Sequence, residues 1–154
     1  MKVSGSDAKG GVLFACGLNR VRSPMAEGLA RRLHGPRLRV ASCGLTVDQE
    51  ALADPFAAAV MDEIGIDLSC HTPKTFDDLD GAAFAVVVSL SPEAHHRAVE
   101  FARDWPAKLE YWPTLDPTLA SGSRETILEA YRDLCRSLET RIRARFPPGP
   151  TFGG

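Results

Sequence analysis

The 154-residue chain is 44% hydrophobic and 25% charged, which supplies apolar material for one core and suits a single domain over residues 1–154. Its 18 Lys and Arg against 20 Asp and Glu give a formal net charge of -2, which excludes the basic footprint of a nucleic-acid binder. No run reaches the ~20 apolar residues of a membrane helix, and 4 scattered cysteines without a close C-x-x-C pair fit a reducing cytoplasm rather than a disulfide framework.

The polar opening Met1–Gly10 offers no apolar stretch for secretion and is expected to be flexible. Gly11–Ala15 reads as a buried strand, and Pro24–Leu33 as a helix with Met25, Leu29 and Leu33 on one face. Arg37–Ser42 reads as a second strand. Asp54 is placed to cap a helix that has Pro55 at its first position and runs to Ile64. After a polar loop around Cys70–Asp80, Phe84–Ser89 is apolar enough for a third strand buried on both faces. Pro92–Arg103 follows as a helix and Lys108–Trp112 as a fourth strand. A last helix runs from about Ser123 to Phe146, with Arg141, Arg143 and Arg145 complementing the negative end of its dipole. Pro147-Pro148-Gly149-Pro150 ends it, and residues 147–154 are expected to be flexible. The alternation predicts an α/β three-layer domain, a four-stranded parallel sheet with helices on both faces, and a ligand site at the strands' carboxyl ends.

Cys16-Gly17-Leu18-Asn19-Arg20-Val21-Arg22-Ser23 lies at such an end, between the first strand and the first helix. A loop of this kind collects backbone N–H groups and backs them with the helix dipole, so residues Gly17 to Ser23 are predicted to bind phosphate. Spacing alone proves little. Cys135 and Arg141 also stand six apart, but within a helical pattern where about 600° of turn sends them to opposite sides. In the loop, Gly17 would allow unusual backbone conformations, Asn19 tolerates a left-handed turn, and Arg22 offers a planar fork to two phosphate oxygens. Such surroundings favour a thiolate, the form of Cys16 able to attack phosphorus in line. Ser23 is expected to donate a hydrogen bond to it and to cap the following helix. The acid for the leaving alkoxide is expected at Asp116, in a loop that leaves the fourth strand at the same sheet edge. Asp-Pro is also a common turn starter, as at Asp54-Pro55.

Val12 to Glu27, Val-Leu-Phe-Ala-Cys-Gly-Leu-Asn-Arg-Val-Arg-Ser-Pro-Met-Ala-Glu, resembles the active-site segment of low-molecular-weight protein tyrosine phosphatases and of the related thioredoxin-coupled arsenate reductases. The likeness continues through Ser42-Cys43-Gly44, Glu63-Ile64-Gly65-Ile66-Asp67 and Asp116-Pro117 with its following helix. It implies a phosphocysteine intermediate on Cys16, phosphoryl binding and transition-state stabilisation by Arg22, and Asp116 as acid and then base. Asn19 and Ser42 would support the loop. It implies no metal and no cofactor, a phosphorylated protein or small phosphomonoester as substrate, and a monomer or weak dimer.

Several positions depart from the family. Gly17 and Leu18 stand in swapped order, Val21 replaces a common second cysteine, and Arg20 stands where an aliphatic residue or threonine is usual. Thr118 and Leu119 follow the Asp-Pro, and Leu45–Leu52 has no aromatic, so stacking on a phosphotyrosine ring is reduced. Phosphomonoester hydrolysis is therefore a firmer expectation than tyrosine specificity, and Arg20 suggests a substrate with a second negative charge near its phosphate. Arsenate reduction competes as an activity of the same fold, but Ser89-Leu90-Ser91-Pro92-Glu93-Ala94-His95-His96 lacks the relay cysteines. Cys43 and Cys70 remain as redox partners, including a reversible Cys16–Cys43 pairing. A phosphate- or phosphoprotein-binding module is disfavoured because cysteine, arginine and aspartate are all kept. His71 and the pair His95-His96 lack zinc-site spacing and read as solvated surface histidines.

Overall fold

A computed structural model describes residues 10–48 and 50–148 of the chain. Four strands, β1 (Val12–Cys16), β2 (Val40–Gly44), β3 (Val86–Ser89) and β4 (Lys108–Tyr111), alternate with α1 (Arg22–His34), α2 (Pro55–Glu63), α3 (Pro92–Phe101) and α4 (Arg124–Arg145). All strand pairs are parallel, in the order β2-β1-β3-β4. The chain steps outward from β1 to β2, then crosses to β3 and β4 on the other side. That reversal opens a crevice beyond the carboxyl ends of β1 and β3, where open parallel sheets bind their ligands. Cys16 is the last residue of β1.

Alternation along β1 explains the three layers. Val12, Phe14 and Cys16 face one way, into a core that Met25 and Leu29 of α1, Val60 and Met61 of α2, and Leu134 and Leu138 of α4 complete. Leu13 and Ala15 face the other way, with Cys43 and Val87, under Ala94 and Ala98 of α3. Every residue of β1 is buried because helices cover both faces.

Most boundaries fall within one or two residues of the expected ones, the third strand among them starting at Val86 rather than Phe84, which ends a 3-10 turn over Gly81–Ala83, and two shifts bear on the site. The second strand starts at Val40, because Pro36 lies in a 3-10 turn over Gly35–Arg37 that the alternating Arg37-Leu38-Arg39 pattern conceals. Helix α1 starts at Arg22, and its cap position is Val21, so Ser23 is not the helix cap: it already lies within the first turn. Asp54 does cap α2, accepting from Phe56 N at 3.0 Å and Ala57 N at 3.2 Å. The flexibility expected of residues 1–10 and 147–154 concerns segments that lie almost wholly outside the described residues. Among the described residues, no helix is long and apolar enough to cross a membrane.

Candidate active site

The loop from Cys16 to Arg22 is shaped by Asn19. It sits at φ 57°, the left-handed turn its residue type tolerates, and it is fully buried. Its amide orientation follows from chemistry: Oδ1 accepts from the backbone N–H of Lys74 at 3.0 Å, which can only donate. The Nδ2 group then donates to the hydroxyls of Ser23 and Ser42, both at 2.9 Å. Ser42 in turn donates a hydrogen bond to Glu27 Oε1 at 2.5 Å, and Arg31 pairs with that carboxylate at 2.7 Å. The expected supporting roles of Asn19 and Ser42 thus correspond to one continuous chain of directed hydrogen bonds.

The same chain ends at the sulfur. Ser23 Oγ lies 2.9 Å from Cys16 Sγ and 3.3 Å from the Cys43 carbonyl. A thiolate has no proton to give, so in that state Ser23 must be the donor. Gly17, expected to need special backbone freedom, does not: it has no positive φ, and a Cβ there would meet nothing within 4 Å. The tight position is Gly44, where a Cβ would come within 2.9 Å of Asn19 N and Gly17 O. Leu45 N donates to Gly17 O at 2.8 Å across this contact. Among the described residues, none of the N–H groups of Gly17, Leu18, Asn19, Arg20 and Val21 donates to a protein acceptor. Consecutive free donors at a helix start form an anion cradle. Leu18 is exposed, and Val21 packs into the core.

Cys16, Arg20 and Arg22 share a cleft of about 190 Å³ with Asp54, Asp116 and Thr118. Arg22 donates at 3.3 Å to the carbonyls of Leu90 and Thr114 and to Thr114 Oγ1, bracing the end of β3 against the loop after β4. Asp116 lines the cleft from within a turn: Oδ1 accepts from Thr118 N at 3.0 Å and Thr118 Oγ1 at 2.6 Å. Its Oδ2 makes no hydrogen bond among the described residues. Arg20 donates from Nε to Leu52 O at 3.0 Å, and its carbonyl accepts from Asp54 N at 3.0 Å.

Four contributors escaped the sequence reading. His71 is half-buried, not solvated; Nε2 donates to Asn19 O at 2.8 Å, and burial holds its pKa below the ordinary value. Lys74 supplies the backbone N–H that Asn19 Oδ1 accepts, and its charge adds to the lowering at His71. Glu27 lies in the quoted motif, one helical turn past Ser23, which was the available signal. Tyr131 of α4 is buried behind the cleft, and its pKa is raised by burial, then by the Asp54 charge and a hydrogen bond to Asp54, then by Asp116. His95, also expected at the surface, stacks on Tyr111 with ring centroids 5.5 Å apart. Among the described residues, no group of three or more His, Cys, Asp or Glu side chains is placed to hold a metal ion.

The pairing of Cys16 with Cys43 is corrected by the sheet. Cys43 stands in register with Ala15, so the two thiols point into opposite cores. Burial and then the Cys16 charge push the Cys43 thiol far above its ordinary pKa, keeping it protonated. Cys70 is exposed on the rim of a separate hollow of about 450 Å³ that also includes His71 and Lys74. Ser91, in the stretch that lacks relay cysteines, caps α3 by accepting from Ala94 N at 3.2 Å.

A family model of the low molecular weight phosphotyrosine protein phosphatases matches residues 11–146. The chain belongs to this family. Among its relatives, the glutaredoxin arsenate reductase of Synechocystis sp. is 32% identical over 133 residues, covering 85% of this chain and 92% of that protein. Among solved structures, an arsenate reductase in its oxidized state superposes with a TM-score of 0.70 at 29% identity, over 88% of this chain and 95% of the other. A protein tyrosine phosphatase superposes at 0.69 with 26% identity, over 92% and 99%. In the swapped Gly17-Leu18 order neither residue takes a positive φ, and Asn19 is the loop residue that does.

Proposed function

We propose that the protein is a cysteine-dependent phosphomonoester hydrolase. The observation that carries this reading is the shared cleft: an ordered thiol, a row of free N–H donors, a guanidinium and a carboxylate oxygen open onto one small space. The phosphoryl group enters the cradle with its non-bridging oxygens on the loop N–H groups and Arg22. Cys16 Sγ attacks phosphorus opposite the leaving oxygen; the S–P bond forms as the P–O bond breaks. Asp116 gives its proton to the departing alkoxide. Water then attacks the phosphocysteine, Asp116 takes its proton, and the thiolate leaves with Ser23 donating to the sulfur. The fixed donors stabilise charge that spreads over the equatorial oxygens in both steps.

Arsenate reduction is the second reading, favoured by the relatives that carry that name. It needs two electrons from thiols. Cys16 supplies one thiolate, while Cys43 faces the other core, Cys70 opens elsewhere and Cys135 is buried against Met61. The second thiol would come from outside, such as glutathione. The deciding experiment follows p-nitrophenyl phosphate hydrolysis without added metal, in wild type and Cys16→Ser. Turnover in wild type that vanishes in the variant is expected. A folded wild type that leaves this ester intact but oxidises glutathione when arsenate is added would overturn the phosphatase reading.

A further inference from the structure

Arg20 is the residue that the chemistry above leaves without a task. It is fixed at both ends of its own structure: the carbonyl accepts from Asp54 N, and Nε donates to Leu52 O, each at 3.0 Å. These bonds tie the loop to the 52–54 segment and hold the guanidinium in the cleft wall. Among the described residues, its two terminal nitrogens have no hydrogen bond and no ion pair, although Asp54 and Asp116 line the same cleft. Asp54 accepts from Phe56 N and Ala57 N at the start of α2 and Asp116 accepts through Oδ1 from Thr118, and neither is paired with the guanidinium. An oriented fork with two free N–H faces suits a carboxylate or phosphate, which it grips in two places.

The cleft volume sets where that second anion lies. About 190 Å³ is below the ~300–1,000 Å³ of ordinary ligand pockets, so the space takes the phosphoryl head and little more. The rest of the substrate contacts the rim. There, Leu18 is 56% exposed and Leu52, whose carbonyl Arg20 holds, is 68% exposed, while Leu115 and Leu119 flank Asp116 in an adjoining hollow of about 640 Å³. Leu18 stands on the loop of Cys16 and Arg20, Leu52 on the segment of Asp54, and Leu115 and Leu119 beside Asp116, and exposed apolar side chains around the cleft fit a polypeptide better than a small hydrophilic ester.

We propose that Arg20 forms an anion subsite, so that the preferred substrate is a phosphorylated polypeptide with a second anionic group, carboxylate or phosphate, beside the phosphorylated side chain. This rests on the phosphatase reading. The experiment uses three peptides that differ in one residue next to phosphotyrosine: Glu, phosphoserine or Gln. In wild type, kcat/KM is expected to be about tenfold or more higher for Glu or phosphoserine than for Gln, the size of a charged hydrogen bond. The ratio falls to about one in both Arg20→Ala and Arg20→Gln, and Arg20→Lys keeps part of it. The Glu and phosphoserine arms separate a carboxylate subsite from a phosphate one. A wild-type ratio near one, or a ratio that survives both Arg20 variants, overturns the subsite. Calorimetric binding of the same peptides to Cys16→Ser reads the ratio without turnover. A selective but inert protein would therefore sink the hydrolase and keep the subsite.

Discussion

Asn19→Ala is the perturbation that separates a catalytic loop held by one residue from a loop held by its surroundings. The amide of Asn19 makes three hydrogen bonds from a fully buried position, to Ser23, Ser42 and the Lys74 N–H. Truncation leaves the Lys74 N–H without its acceptor, which costs ~2 kcal/mol, and withdraws a donor from two hydroxyls that keep other partners, ~1 kcal/mol each. Alanine in the left-handed region adds ~1 kcal/mol or more. Together these come to about 5 kcal/mol, comparable to the ~5–15 kcal/mol that holds a whole domain together. Urea unfolding followed by circular dichroism should place Asn19→Ala close to the folding threshold. Asn19→Gly, which tolerates the backbone conformation, should recover ~1 kcal/mol of the loss. A variant within ~1 kcal/mol of wild type would show that the hydroxyls and Lys74 re-pair freely, and the account of the loop would fail.

Asp116→Asn should lower kcat/KM, which reports the transfer to Cys16, for alkyl phosphates by ~10²–10⁴-fold, the usual size of a general-acid contribution. The loss should be much smaller for p-nitrophenyl phosphate, whose leaving group needs little help from a proton; equal losses on both would remove Asp116 from the acid role. His71 gives a pH dependence of stability. Its folded pKa is depressed below 6.5 by burial, so on acidification the unfolded chain binds the proton first. Stability from this group is therefore complete above about pH 6.5 and is lost as pH falls through the lower folded value. Urea midpoints measured from about pH 7.5 down to about pH 5 should decline less steeply in His71→Gln, and an unchanged slope would exclude the group.

What the sequence revealed and concealed follows sequence separation. Cys16, Arg22 and Ser23 lie within eight residues, so strand, loop and helix start could be read together. Asp116 was reachable because every loop leaving a parallel strand emerges at the same sheet edge. The supports of Asn19 were not: His71 and Lys74 lie 52 and 55 residues away and carry no periodic signal. Ser23 was misread as a cap because its type suits one, while its hydroxyl is already committed to the sulfur network. Cys43 looked near to Cys16 along neighbouring strands, but a shift of one residue in a pleated strand reverses the side-chain direction. The second strand begins at Val40 rather than Arg37 for a related reason. Alternation resembles a strand even where Gly35, at φ 60°, and Pro36 have turned the backbone.

Gly44 ends the second strand directly beneath the loop, with Gly17 O and Asn19 N where its own Cβ would be. Because the N–H groups of Leu45 and Thr46 hold Gly17 O across that contact, the anion cradle moves with the strand end rather than as a separate lid. Cradle and strand tips should open as one cooperative unit, with the Leu45 amide, bonded to Gly17 O, exchanging its hydrogen at the same rate as the core of β1. Thermal tolerance of the reaction is then set by the melting of the sheet itself, with no earlier loss of loop shape.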